Sequence, residues 1–249
     1  MSRRVIVITG ASSGLGEEMA RQFAALGYDL GLCARRLDRL ATLRDELLTA
    51  QPDSKVEIAP LDVTDDAAVQ AVFEGFHSSF GRLDRVIVNA GSGSGAALGT
   101  GGQTANRTTA MTNFVGALTQ CEHALAIFRA QKCGHLVLIS SFSALRGMRR
   151  SMTTYAASKA GVAALAEGLR SERIPGVDIS LICPGYIRSE MNAAAADRTK
   201  FMVDTEPGVA AMVRAIEARK TTAYVPRWPW VPLAVAIKLL PLSIVRKLT

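Results

Sequence analysis

After Glu217 the sequence contains no acidic residue, although Arg219, Lys220, Arg227, Lys238, Arg246 and Lys247 follow. Most of the formal net charge of +7 is therefore C-terminal. It does not form the basic stripe that tracks a nucleic acid, and no nucleic-acid partner is expected. Cysteine is scarce and scattered: Cys33, Cys121, Cys133 and Cys183 show neither CxxC spacing nor paired histidines. That pattern argues against a metal site and against a disulfide framework, and reads as reduced thiols in a cytoplasmic protein. Met1-Ser2-Arg3-Arg4 runs directly into Val5-Ile6-Val7-Ile8, with no separate apolar segment and cleavage site of the kind a secretory signal needs. What remains is a chain of 249 residues, 49% hydrophobic and 20% charged, long enough for one large core and short for two domains. A single domain over 1–226 is expected, with 227–249 as a C-terminal extension of it.

Short β-rich runs alternate with longer segments of helical period. Strands are expected at 4–9, 28–34, 55–61, 84–89, 134–140, 177–183 and 222–225, and helices at 14–26, 37–50, 65–80, 105–131, 152–173 and 206–219. Runs such as Val86-Ile87-Val88 and Leu136-Val137-Leu138-Ile139 are continuously apolar, as expected where helices cover both faces of a parallel sheet. The pattern predicts an α/β fold, a Rossmann-like doubly wound sheet of about seven strands.

The first strand enters Thr9-Gly10-Ala11-Ser12-Ser13-Gly14-Leu15-Gly16, which opens a helix. Glycines there permit a tight turn and close approach of a pyrophosphate, met by backbone N–H groups and the positive end of the helix dipole. Strand before and helix after supply the context that a glycine motif alone lacks. The second strand ends in Arg35-Arg36, where a fold selective for NAD often carries an acid. A guanidinium pairs with a 2′-phosphate and an acid repels it, so the charge favours NADP, unless both arginines only open a solvated helix. Asp62, before Val63, is placed either to accept from an adenine amino group or to cap the helix starting near Asp65. Asn89-Ala90-Gly91 leaves room for a ribose, and the Asn can equally tie two strands together. Asn113 lies inside a long helix, where Asn is a mediocre former, so it is either exposed or has a polar task. Ser140, Ser141 and Ser143 follow the fifth strand at the sheet edge where open α/β folds keep their ligand crevice. After the sixth strand, Pro184-Gly185-Tyr186-Ile187-Arg188-Ser189-Glu190-Met191 reaches the same edge and can fold over a cofactor.

Tyr155-Ala156-Ala157-Ser158-Lys159 places a phenol and an ammonium four residues apart on one helix face. An ammonium beside a phenol favours phenolate, bringing a tyrosine toward general acid–base work.

Together, TGASSGLG at 9–16, Asp62, NAG at 89–91, Asn113, the Ser-Ser pair, YAASK at 155–159 and PGYIRSEM at 184–191 resemble the short-chain dehydrogenase/reductase family over roughly residues 4–225. The chain looks most like uncharacterised actinobacterial members that carry a Trp-Pro-Trp near the C-terminus. The resemblance implies an NADP(H)-dependent interconversion of a ketone or aldehyde with an alcohol, and a homodimer or homotetramer. Tyr155 would be the acid/base, Lys159 would lower its pKa and hold the nicotinamide ribose, and Asn113 would anchor a water linking Lys159 to solvent. Ser141 would bond the substrate oxygen, although it stands 14 positions before Tyr155, one more than is commonest, which leaves Ser140 and Ser143 as alternatives. Gly10, Ser12, Ser13, Gly14, Leu15, Gly16, Arg35, Arg36, Asp62, Val63, Asn89, Ala90, Gly91, Tyr155, Lys159, Pro184, Gly185, Ile187 and Ser189 would line the cofactor. The rival to an enzyme is an NADP-binding sensor or scaffold of the same fold.

The loops at 92–104 and 142–151 and the segment at 190–205 are expected to build the substrate pocket. Ala193-Ala194-Ala195-Ala196, Met191, Phe201 and Met202 suggest an apolar lining and a lipid-like substrate. Past Trp228-Pro229-Trp230, a helix over 231–248 would carry Leu233, Ile237, Leu240, Ile244 and Leu248 on one face and Lys238, Arg246 and Lys247 on the other. It packs either on its own domain as a lid, at an oligomer contact, or on an anionic membrane surface.

Overall fold

The computed structural model describes residues 3–93, 95–192 and 201–248. Seven strands form one parallel sheet: β1 (Val5–Thr9), β2 (Asp29–Ala34), β3 (Val56–Pro60), β4 (Arg85–Val88), β5 (Gly134–Ile139), β6 (Val177–Pro184) and β7 (Thr222–Val225). Their spatial order is β3-β2-β1-β4-β5-β6-β7, so the chain reverses direction across the sheet between β1 and β4. An open α/β sheet opens its ligand crevice at that reversal, beyond the carboxyl ends of the strands.

Side-chain alternation divides each strand between two helical layers. On β1, Ile6 and Ile8 pack with Met19 and Phe23 of α1 (Gly14–Ala25), Leu40 and Leu43 of α2 (Leu37–Ala50), and residues of α7 (Thr205–Glu217). Val5 and Val7 pack the other way, with Phe73 of α3 (Asp66–Phe80), Phe128 of α5 (Gly116–Gln131) and Val162 of α6 (Met152–Ser171). Both layers are dry, which is why these strands are apolar at consecutive positions.

Two expectations are corrected. The helix expected over 105–131 is not continuous α-helix: α4 (Gln103–Ala110) passes through a π turn at Met111–Val115 into α5. Single π turns inside helices recur at functional sites, and this one carries Asn113, whose polar task at this point accounts for the irregularity. The helix expected over 231–248 is two, α8 (Arg227–Leu239) and α9 (Leu242–Leu248), because Leu240 is extended and Pro241 has no N–H to continue the ladder. The expected face is kept in part, with Ile237 buried, and the backbone breaks at Trp228 and Leu240. Trp230, Ala234, Ile237 and Val245 are buried, Leu233 and Leu240 only partly so, and Ile244 is exposed. The side chains of Arg246, Lys247 and Leu248 lie outside the described residues. Of the alternatives for this segment, packing on its own domain is the one observed.

The contact that seats α8 is aromatic. The Trp230 ring lies 4.7 Å from Phe142 and 5.2 Å from Tyr186, edge-on to both, over Gly185, where a side chain would run into the indole. At the other end, Arg146 Nη1 donates to the carbonyls of Ile237, Lys238 and Leu240 at 3.2–3.4 Å, satisfying groups that the helix end leaves open. The loop after β5 and the C-terminal helices are thereby joined at both ends. Among the described residues no helix is long and apolar enough to cross a membrane.

Candidate active site

The crevice at the β1–β4 reversal is lined by Gly10, Ser12, Ser13, Gly14, Leu15, Gly16, Arg35, Arg36, Asp62, Val63, Asn89, Ala90, Gly91, Tyr155, Lys159 and Ser189, so most of the expected residues share one cleft. Its floor is the glycine turn. A Cβ on Gly16 would lie 2.6 Å from Asn89 Nδ2, so only glycine lets the helix start sit against the strand ends. Gly14 adopts φ +56° and faces Ser189 across the cleft. The cradle, its open N–H groups and the cations at its edge fit a dinucleotide.

Asn89 does tie the strands: its Nδ2 donates to Thr9 O at 2.8 Å, while Thr9 Oγ1 accepts from Asn89 N and Ala90 N. Asp62 does not cap the helix. It accepts from Thr64 N at 3.0 Å and Thr64 Oγ1 at 2.7 Å, bonds that hold its carboxyl below the usual carboxylate range, and Asp65 caps α3 by accepting from Ala68 N. Arg36 crosses the glycine turn, with Nη2 donating to Ser13 Oγ at 2.6 Å and Nε to Ser12 Oγ at 3.3 Å. Arg35 is exposed at the mouth.

The three serines after β5 separate by environment. Ser140 is buried and donates to Lys159 O at 2.8 Å; Ser143 is buried. Ser141 starts a 3₁₀ turn, accepts from Ser143 N at 3.1 Å, and lies close enough to the Tyr155 phenol to act on its pKa. Burial raises the phenol's pKa, Ser141 opposes the rise, and Tyr186 adds to it. The expected effect of Lys159 on that phenol is not seen in this arrangement. Its ammonium donates instead to Ile139 O at 2.9 Å at the end of β5, and burial lowers it to about 8.

Asn113 is buried. Its Oδ1 accepts from Ser92 N at 2.7 Å, and its Nδ2 donates to Ser92 O at 2.9 Å and to Ser158 Oγ at 3.2 Å. Both amide hydrogens are engaged, so a water here would be left with the second lone pair of Oδ1. Gly91 packs against this oxygen and Lys159 Nζ: a Cβ there would stand 3.3 and 3.5 Å from them.

Asn113, Ser141, Pro184, Gly185 and Ile187 do not line the cleft itself. Gly185 supports Trp230, and Ile187 is core, packed against Gly208. The segment after β6 nevertheless closes over the cleft through Ser189, Glu190 and Met191. Backbone bonds between Arg188 N and Val203 O and between Val203 N and Tyr186 O hold it in place. Sequence reasoning missed Ala34, Leu61, Thr108, Thr112 and Ile139 as lining residues, since apolar strand ends and threonines on a helix carry no motif, and it gave Glu190 a place but no role. Ala193, Ala194, Ala195 and Ala196 lie outside the described residues; Met191 and Phe201 are exposed.

Residues 4–200 match the family described as short chain dehydrogenase. Two curated sequences from Mycobacterium tuberculosis strains, each an uncharacterized oxidoreductase, are 50% identical over 248 residues, covering 99% of this chain and 98% of theirs. They agree with the likeness to actinobacterial sequences. A short-chain dehydrogenase from Sphingobium yanoikuyae in complex with NADPH superposes with a TM-score of 0.82 at 26% identity, over 94% of this chain and 93% of that one. One from Burkholderia phymatum in complex with NAD reaches 0.84 at 24% identity, over 96% and 92%, and bears on the fold alone. The glycine turn and phenol of the cleft, and these matches, together place the chain in the short-chain dehydrogenase/reductase family of oxidoreductases.

Proposed function

We propose that the protein interconverts a ketone or aldehyde with the corresponding alcohol using NADP(H), with Tyr155 as the general acid/base. The observation that carries this reading is the Tyr155 phenol at the cleft, near Ser141 and one turn before a buried lysine. A bound nicotinamide supplies or accepts the hydride at the carbonyl carbon. Tyr155 gives its proton to the oxygen, and Ser141 steadies the charge that develops there. Lys159 is placed to hold ribose hydroxyls. Asn113 keeps the 92–93 loop and the Tyr155 helix in register through Ser92 and Ser158. The exposed Met191 side chain at the cleft supports an apolar substrate.

The cofactor preference rests on Arg35, Arg36 and the absence of an acid at the end of β2. Loss of a charge-assisted bond to a phosphate costs about 1.5–3 kcal/mol, so NADPH is expected to bind roughly 10- to 150-fold more tightly than NADH. Fluorescence titrations giving equal dissociation constants would sink this preference.

Self-association is supported by Met111, Val115 and Leu118, which leave an apolar strip exposed along α4, the π turn and α5. Membrane contact would instead use the outward side of α8 and α9, where Trp228, Val235, Leu239 and Leu242 are exposed beside Lys238. Light scattering of the full chain at micromolar concentration should return a multiple of 26.5 kDa. A monomer mass removes the oligomer, and failure to pellet with anionic liposomes removes the membrane.

A further inference from the structure

Glu190 reaches across the cleft to Arg36, one of the two cations just assigned to a phosphate, and to Arg39 beside it. One carboxylate oxygen accepts from Arg36 Nη2 at 3.1 Å, the other from Arg39 Nη1 one turn along α2. The residues come from opposite sides of the reversal, 154 positions apart in sequence. Arg36 meanwhile keeps its bonds to Ser12 and Ser13, so its guanidinium lies over the glycine turn whether or not Glu190 is present. Glu190 is held well below the usual carboxylate range by Arg39 and then Arg36, and is an anion at neutral pH.

We propose that Glu190 is a cofactor-discriminating residue: an internal anion that holds Arg36 and Arg39 until the ribose 2′-phosphate displaces it. The proposal rests on the NADP reading and names the residue that tunes it. A phosphate brings nearly two negative charges and three strong acceptors to a pair of guanidiniums that now share one carboxylate. Both partners are about half exposed, with side-chain exposures of 41% for Arg36 and 51% for Glu190. Such a pair is weak and yields readily. NADH lacks the phosphate and has no call on these cations, so it leaves the pair in place. The exchange also reaches the substrate side. Glu190 lies between Ser189, which faces Gly14, and Met191, which lies against Gly93, so its release loosens the segment that closes the cleft.

Dissociation constants of NADPH and NADH, titrated on the full chain and on Glu190→Gln, test the exchange. Glutamine keeps the size and removes the charge, and thermal melting of the two proteins checks that the fold is unchanged. Removing the competitor should tighten NADPH by about three- to tenfold, two exposed ion pairs' worth, and leave NADH within about twofold. A wild type that prefers NADPH, with a Glu190→Gln variant that binds it no tighter or more weakly, overturns the exchange while the NADP reading stands. A wild type that binds both cofactors equally sinks the NADP reading itself.

Discussion

Tyr155→Phe is expected to lower turnover by about 10²- to 10⁴-fold, the usual loss when a positioned general acid is removed, while NADPH affinity stays within about twofold. The substitution deletes one oxygen and keeps the ring. Within the described site no other group is placed to take over. Lys159 is turned away, with its ammonium on Ile139 O. Ser141 is an aliphatic alcohol and a poor proton donor to an alkoxide as a general acid, suited to bond the substrate oxygen rather than to protonate it. The glycine turn and its arginine lie elsewhere in the cleft, so the cofactor site is not disturbed. Steady-state rates with fluorescence titration read both quantities. Retention of more than about a tenth of the rate would show that Tyr155 is not the acid.

Trp230→Ala should destabilise the fold by about 3 kcal/mol, the lower end for large aromatic side chains truncated in a core. The indole is 2% exposed and wedged between Phe142 and Tyr186 over Gly185, with no space-filling neighbour able to replace it. Its Nε1 is buried without a hydrogen-bond partner among the described residues, and losing that unsatisfied donor offsets part of the cost. For a chain of this size each kcal/mol moves the midpoint by about 2–4 °C, so a fall of roughly 6–12 °C is expected in a thermal melt. Phe142 adjoins Ser141, so turnover should fall further than cofactor affinity does. An unchanged midpoint would mean that α8 is not seated by this residue.

The glycine turn, the strand order of motifs and the Tyr155–Lys159 pair were legible because each is local: a period, a spacing or a required conformation. What failed was non-local. The sequence places Lys159 below Tyr155 on a helix face, but its reach to Ile139 depends on how that helix lies on β5. The C-terminal face was legible only in part: Ile237 is buried as expected, but Ile244 is exposed, and the anchoring contact of Trp230 with Gly185, 45 residues earlier, is on no helical wheel. Arg85 opens a strand expected to be apolar, yet it is 3% exposed. It is neutralised by Glu217 at 2.5 Å and bonded to His135, partners supplied by α7 and β5. Glu190 belongs to the same class. Its meaning comes from Arg36 and Arg39 on the far side of the cleft, whereas in sequence it is one acid in a loop.

The central claim, a working carbonyl reductase built around Tyr155 rather than a nucleotide-binding scaffold, is tested most directly by NADPH consumption. Wild-type protein would be screened against 3-oxoacyl thioesters, steroid ketones and small aldehydes, with the alcohol product quantified. The account predicts oxidation of NADPH matched one-to-one by alcohol with at least one apolar ketone, and none of it with Tyr155→Phe. Tight NADPH binding with no turnover on any carbonyl class would contradict it and leave the sensor.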